Sequence, residues 1–214
     1  MIKTSKQNIS KIKQILIQKY QNAKTELNYK NEYELLVDII LSAQCTDKRV
    51  NIITPELFLT YPTPKDLANA KLEDIKTLLK SCSFFNNKSK NIINMAKLVE
   101  DEFNGVIPKN SKDLMKLPGV GNKTANVFLI ELQGANLMAV DTHVFRVSHR
   151  LGLSDGKNVK ETEEQLVKKL KDDLHIFHQA MVLFGRYICK AVKPECEKCF
   201  LTSVCKTKKT FKAN

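Results

Sequence analysis

The sequence predicts an all-α protein, and three observations carry that prediction. Apolar residues recur at helical spacing along nearly the whole chain, and helix start and stop signals punctuate those runs. Period-2 alternation is absent except over residues 137–140, the one place where a strand is allowed.

The elements follow in order. Ile9, Ile12, Leu16 and Tyr20 mark a first helical stripe. Tyr33, Leu36, Val37, Ile40 and Leu41 mark a second, at i, i+3, i+4, i+7 and i+8. Thr63 followed by Pro64 reads as an N-cap with proline at the first helical position. Met95, Ala96, Val99 and Phe103 form the next face, closed by Gly105. Ser111 is expected to cap a short helix running through Lys116, and Gly152 to end one that starts after Asp141. Leu166 and Leu170 lie on a heavily charged helix; Ile176, Ala180 and Leu183 lie on the last long one. No linker of low complexity and no internal repeat is visible, and the tail carrying Lys206, Lys208, Lys209 and Lys212 is expected to fray.

With 214 residues the chain can bury a core as one large or two small domains. The net charge of +12 favours a polyanionic partner, and the set of four arginines (Arg49, Arg146, Arg150, Arg186) among 35 basic residues leans that preference toward phosphate rather than base edges. An AT-rich genome would produce the same lysine bias. The apolar run 35–41 is interrupted by Asp38 and falls far short of the ~20 residues a bilayer requires. Residues 1–10 are polar and basic, so a membrane or secreted class is not expected. The chain reads as a cytoplasmic protein.

Four of the six cysteines crowd together as Cys189, Cys196, Cys199 and Cys205, spaced C-x6-C-x2-C-x5-C. Four thiolates in so short a window can close on one metal centre, either an iron–sulfur cluster or tetrahedral zinc. Spacing does not choose between them, and disulfides are disfavoured without a route to an oxidising compartment.

Leu117-Pro118-Gly119-Val120-Gly121 lies between two helical patterns. Gly119, Val120 and Gly121 allow a tight hairpin whose amides, with the following helix start, form an anion site suited to phosphate. An ordinary helix–helix turn is the alternative. Lys123 follows in the first helical turn, where the helix dipole opposes a positive charge and partial burial would act the same way. Such an amine can attack a sugar C1′ and form a Schiff base; a phosphate-contacting lysine is the plainer reading. Asp141 is a natural N-cap, yet a carboxylate fixed at the end of an apolar segment can also move a proton or stabilise a cationic sugar.

Together these residues are similar to the endonuclease III family of DNA repair glycosylases. The resemblance is carried by Leu41-Ser42-Ala43-Gln44 with Thr46-Asp47, and by the hairpin with Lys123-Thr124-Ala125-Asn126. It continues through Val140-Asp141-Thr142-His143 with Phe145-Arg146-Val147, Gly185-Arg186-Tyr187 and the cysteine ladder. It implies two helical domains with a DNA groove between them: a six-helix domain over 25–135 bearing the helix-hairpin-helix, and a discontinuous one from 1–24 and 136–214. It also implies a [4Fe-4S] cluster on Cys189, Cys196, Cys199 and Cys205, with Lys190, Lys193 and Lys198 facing DNA. The implied reaction, on double-stranded DNA and by a monomer, is excision of oxidised pyrimidines through Lys123 and Asp141, then β-elimination at the abasic site. The family leucine that wedges into the stack is Phe84 here, with Gln44 beside the orphaned base. Asn122 stands where a basic residue is frequent in the family. Phe85, Cys45 and Cys82 are read as packing residues, and of His143, His149, His175 and His178 only His143 gains a site role from its motif. Two rival readings are an adenine–mismatch glycosylase, which carries a further domain where this chain has nine residues after Cys205, and a non-catalytic iron–sulfur DNA-binding or redox-sensing protein.

Overall fold

The computed structural model describes residues 4–207, so Lys208, Lys209 and Lys212 of the tail lie outside the described residues. In chain order the helices are α1 Lys6–Lys19, α2 Glu32–Ser42, α3 Asp47–Thr60, α4 Pro64–Ala68, α5 Leu72–Leu78 and α6 Phe85–Phe103. They continue with α7 Ser111–Leu114, α8 Asn122–Gln133, α9 Thr142–Leu151, α10 Val159–Leu170 and α11 Leu174–Tyr187, followed by a 3₁₀ turn at Cys196–Lys198. No strand occurs among the described residues: 137–140 runs without regular structure, burying Met138, Ala139 and Val140. The chain divides into a continuous unit, 26–132, and a discontinuous one drawn from the segments on either side.

In the continuous unit α2 is the central element. Every residue from Tyr33 to Leu41 is buried, so the helix is enclosed all round rather than along the single stripe its spacing suggests. α4 opens on a reciprocal capping box, with Thr63 Oγ1 accepting from the Asp66 amide (3.2 Å) and Asp66 Oδ2 accepting from the Thr63 amide (3.1 Å). α6 stops at Asn104 and Gly105, both left-handed, and the Gly105 amide donates to Val99 O at 3.0 Å. The cap of α7 is Asn110 rather than Ser111: Asn110 Oδ1 accepts from the Asp113 amide at 3.0 Å. Asparagine caps as well as serine does, and starting there lets the chain leave the helix at Leu114, short of Lys116, to enter the next turn.

The discontinuous unit packs Ile12 and Leu16 of α1 with Val144, Val147 and Leu151 of α9, Leu166 and Leu170 of α10, and Phe177, Met181 and Phe184 of α11. Each such side chain, taken fully out of water, contributes about 1.5–3 kcal/mol. The inner face of α11 is Leu174, Phe177, Ala180, Met181 and Phe184, whereas Ile176 and Leu183 are half-buried. The expected stripe was offset because α11 packs against both α1 and α9, and two neighbours bury a wider arc than one. Gly185 sets the approach of α9 to α11. A Cβ there would stand 2.9 Å from His143 Cβ and 3.1 Å from Val147 Cγ2.

Two predictions follow from this packing. Gly185→Ala forces α9 and α11 apart and should lower the unfolding free energy by about 1–3 kcal/mol, the usual cost of overpacking, read as a lower urea midpoint. Asp38, on α2, is 0% exposed, and neither carboxylate oxygen has a hydrogen-bond partner among the described residues. Burial pushes its carboxyl up to about 8, with the charges of Glu34 and Asp47 adding to it. The folded protein therefore binds a proton that the unfolded chain releases near its ordinary value of 3.8. Stability from this group is complete below that value and declines as pH rises toward about 8. Urea midpoints measured across that window should fall with pH, and Asp38→Asn should remove most of the slope.

Candidate functional site

The hairpin between α7 and α8 is a type II turn. The Val120 amide donates to Leu117 O at 3.0 Å, with Pro118 and Gly119 at its centre and Gly119 at φ +86°. Leu117 and Val120 are buried and anchor it. Gly119 is fixed twice over, since a Cβ would also lie 3.1 Å from Asn91 Cβ on α6 and 3.2 Å from Ile40 Cγ2 on α2. Gly121 differs: it is exposed, is not left-handed, and a Cβ on it would meet nothing within 4 Å. Nothing in the fold demands glycine there, which leaves its amide open to close approach from outside. The Gly121 carbonyl accepts from Ala125 N–H at 3.0 Å and so begins α8. Lys123 is the second residue of that helix, and its side chain is exposed.

The same unit holds Gln44 and Phe84 in unusual states. Both are non-glycine residues in the left-handed region, at φ +54° and +58°, and both are exposed, Phe84 at 61%. Left-handed backbone at such residues costs on the order of 1–3 kcal/mol and persists where neighbours over-determine it. Phe84 is also the N-cap residue of α6 without a side-chain cap bond, while Phe85 is half-buried. One residue missed in the sequence lies beneath both. Lys88 on α6 is 5% exposed, and its Nζ donates to Leu41 O (2.8 Å) and Ala43 O (2.6 Å) and reaches Cys82 Sγ at 3.4 Å. A signal for it exists: Lys88 stands four residues before Ile92, in register with the buried Met95, Ala96 and Val99. Cys82 is buried and Cys45 half-buried.

In the discontinuous unit Asp141 caps α9, its Oδ1 accepting from the Val144 amide at 2.7 Å. Among the described residues its second oxygen accepts no hydrogen bond, and the side chain is half-buried. Arg146, one turn further on, donates to Gly185 O (2.7 Å) and Cys189 O (3.1 Å) and meets His143 Nδ1 at 3.3 Å. Those bonds tie the Asp141 helix to α11 and to the start of the cysteine loop.

Cys189, Cys196, Cys199 and Cys205 line a single cavity walled by Leu151, Phe184 and Ile188. Arg150 secures its rim, donating to Lys190 O (2.6 Å), Ala191 O (3.1 Å) and Cys189 Sγ (3.4 Å). Burial, then the thiols of Cys189 and Cys205, push the Cys196 thiol up, and burial does the same to Cys199. Among the described residues no three His, Cys, Asp or Glu side chains are set to hold a metal ion in the arrangement as it stands. Four sulfurs around one mostly apolar cavity is nonetheless a donor set that fits a soft, thiolate-bound centre. Of the lysines within the ladder, Lys190 and Lys198 pair with Glu195 at 2.8 and 3.4 Å, a competitor the charge argument overlooked. Lys193 is exposed and left-handed, at φ +49°.

Comparison with known proteins now bears on these residues. The family described as HhH-GPD superfamily base excision DNA repair protein matches residues 37–172. Endonuclease III of Rickettsia conorii is 46% identical over 200 residues, covering 93% of this chain and 95% of that protein. Endonuclease III of Escherichia coli K12 is 40% identical over 185 residues, covering 86% and 88%. Among solved structures, a trapped endonuclease III–DNA covalent intermediate superposes with a TM-score of 0.92 at 40% identity, covering 98% of this chain and 99% of that one. A thermostable thymine-DNA glycosylase shares the fold, with a TM-score of 0.84 at 22% identity. The chain therefore belongs to the HhH-GPD superfamily of base excision DNA repair proteins and, within it, to the endonuclease III family.

Proposed function

We infer that the chain is a bifunctional DNA glycosylase and abasic-site lyase that removes oxidised pyrimidines from duplex DNA and nicks the strand at the site left behind. The observation that carries this reading is near full-length similarity to endonuclease III, including a relative solved as a covalent complex with DNA. It works as a monomer, on the DNA of a bacterial cytoplasm. No described helix is long and apolar enough to cross a membrane.

The chemistry assigns a part to each residue. A damaged nucleotide leaves the stack, at a cost of a few kcal/mol that weak stacking of the lesion reduces. Gly119 and Gly121 hold the adjoining phosphate through their amides and the start of α8, on a turn that Val120 keeps closed with its own amide on Leu117 O. Lys123, as the free amine, attacks C1′; the C1′–N bond breaks, and the base departs with the electron pair and takes up a proton. Loss of the second amine proton and opening of the sugar leave the imine. Removal of a C2′ proton then expels the 3′ phosphate and cuts the strand. Asp141 keeps one oxygen on the Val144 amide and uses the other to stabilise the sugar cation and to move protons. Gln44 and Phe84 fill the gap in the duplex, while Lys193, with Lys190 and Lys198 once released from Glu195, meets backbone phosphate.

Cys189, Cys196, Cys199 and Cys205 would hold a [4Fe-4S] cluster. When bound, it supplies a covalent cross-link for the C-terminal loop and takes no part in base removal.

Three experiments test this reading. Lys123→Gln should still bind abasic duplex but form no borohydride-trapped adduct, and undiminished trapping would remove Lys123 from the nucleophile's role. Asp141→Asn keeps a capping side chain, so its fold should hold while most turnover is lost; near-normal turnover would leave Asp141 as a cap alone. Protein purified without oxygen should contain roughly four iron and four sulfide per chain, as expected of a Cys-ligated cubane, and stoichiometric zinc would overturn the assignment.

A further inference from the structure

We propose that Lys88 is a positioning residue for DNA insertion, its buried ammonium holding the Gln44 and Phe84 turns as one rigid unit. The proposal rests on the reading above, in which those two side chains occupy the gap left by the extruded nucleotide.

α2 ends at Ser42, and the last carbonyls of any helix lack an intrahelical donor. Lys88 Nζ takes two oxygens there, Leu41 O at 2.8 Å and Ala43 O at 2.6 Å, and completes its shell with Cys82 Sγ at 3.4 Å. Ala43 is the residue immediately before Gln44. At its other end the Lys88 main chain is bonded to Phe84, whose carbonyl accepts from the Lys88 amide at 3.1 Å. A single residue therefore links Gln44 and Phe84, two exposed residues of this unit that are both held in the left-handed region. Cys82, two residues before Phe84, adds a third attachment on the same loop.

The choice of lysine is itself informative. Removing an ammonium from water is unfavourable unless its donors are used, and among the described residues no carboxylate pairs with Lys88. An apolar side chain of similar volume would fill the site without that penalty, so stability alone gives no reason for a cation here. Carbonyl groups that must stay where they are give one. Three N–H vectors fix the end of α2 relative to the start of α6 more narrowly than apolar contact does. Two protruding side chains can enter a base stack together only if their spacing does not change on contact.

The test uses full-length protein with its cofactor. Wild type, Lys88→Met, Phe84→Ala and the double variant are compared by the rate of borohydride trapping on one abasic oligonucleotide, in duplex and as a single strand. The readout is the duplex-to-single-strand ratio, because a general loss of stability or of nucleophilicity lowers both rates. Lys88→Met should lower that ratio on the order of tenfold, within the range a misplacement of about 1 Å can cause. The double variant should fall no further than the worse single variant, as expected of residues acting in one unit. An unchanged ratio in Lys88→Met, or additive losses in the double variant, would overturn the proposal. If Phe84→Ala keeps the wild-type ratio, the insertion reading fails and this inference with it; if Phe84→Ala lowers the ratio and Lys88→Met does not, Lys88 alone loses its role. Should Lys88→Met fail to fold, the same ratio measured on Lys88→Gln, which keeps a donor without charge or reach, decides the matter.

Discussion

The buried ammonium of Lys88 joins the end of α2 to the start of α6, and the exposed features of the continuous unit are arranged on that pair of helices. Gln44 leaves α2, Phe84 opens α6, and the hairpin lies against Ile40 of α2 and Asn91 of α6. Asn91 is seven residues from Phe84, so along α6 the hairpin and the aromatic tip are separated by about 10 Å at 1.5 Å per residue. Moving either helix would displace all three. The fully enclosed α2 resists such movement from the core side, and Lys88 resists it from its C-terminal end.

The discontinuous unit solves a related problem with different chemistry. Capping α9 fixes the Asp141 carboxylate, since the Val144 amide occupies one oxygen. α9 is fixed in turn by Gly185, which admits it against α11, and by the Arg146 bonds to Gly185 O and Cys189 O. Arg150, on the next turn, reaches the same loop at Lys190 and Ala191. The helix that presents Asp141 is therefore also the one that holds the rim of the four-cysteine cavity. A loop with no regular structure beyond a 3₁₀ turn has little core of its own, and the proposed cluster would cross-link it at the cavity.

Helix ends recur throughout. Lys123 and Gly121 stand at the N-terminus of α8, Asp141 at that of α9, Phe84 at that of α6, and Gln44 just beyond the C-terminus of α2. Helix termini carry unpaired backbone groups and partial charge, so they suit a polyanionic substrate whose phosphates and sugar must be gripped close to main chain. For a member of the endonuclease III family, the helical architecture thus supplies binding groups that a sheet would have committed to its ladder.

The primary sequence settled the helical class, most helix positions and the family. Periodicity and capping chemistry are local, as with Thr63-Pro64, Asp141 and Gly152, whose bonds close within a few residues. It also marked the glycines of the hairpin and the four cysteines, because spacing alone limits what such residues can do. Tertiary packing decided the rest. It placed Asn110 ahead of Ser111 as a cap, turned α11 to bury Phe177 and Met181 in place of Ile176, left Lys123 exposed, and paired Lys190 and Lys198 with Glu195. It separated Gly119, whose missing Cβ the neighbouring helices require, from Gly121, whose missing Cβ nothing inside the protein requires. The register of α6 marks Lys88 as inward-facing, but tertiary structure alone supplied its partners, Leu41 and Ala43, which lie more than forty residues away in the chain, where no local pattern can register them.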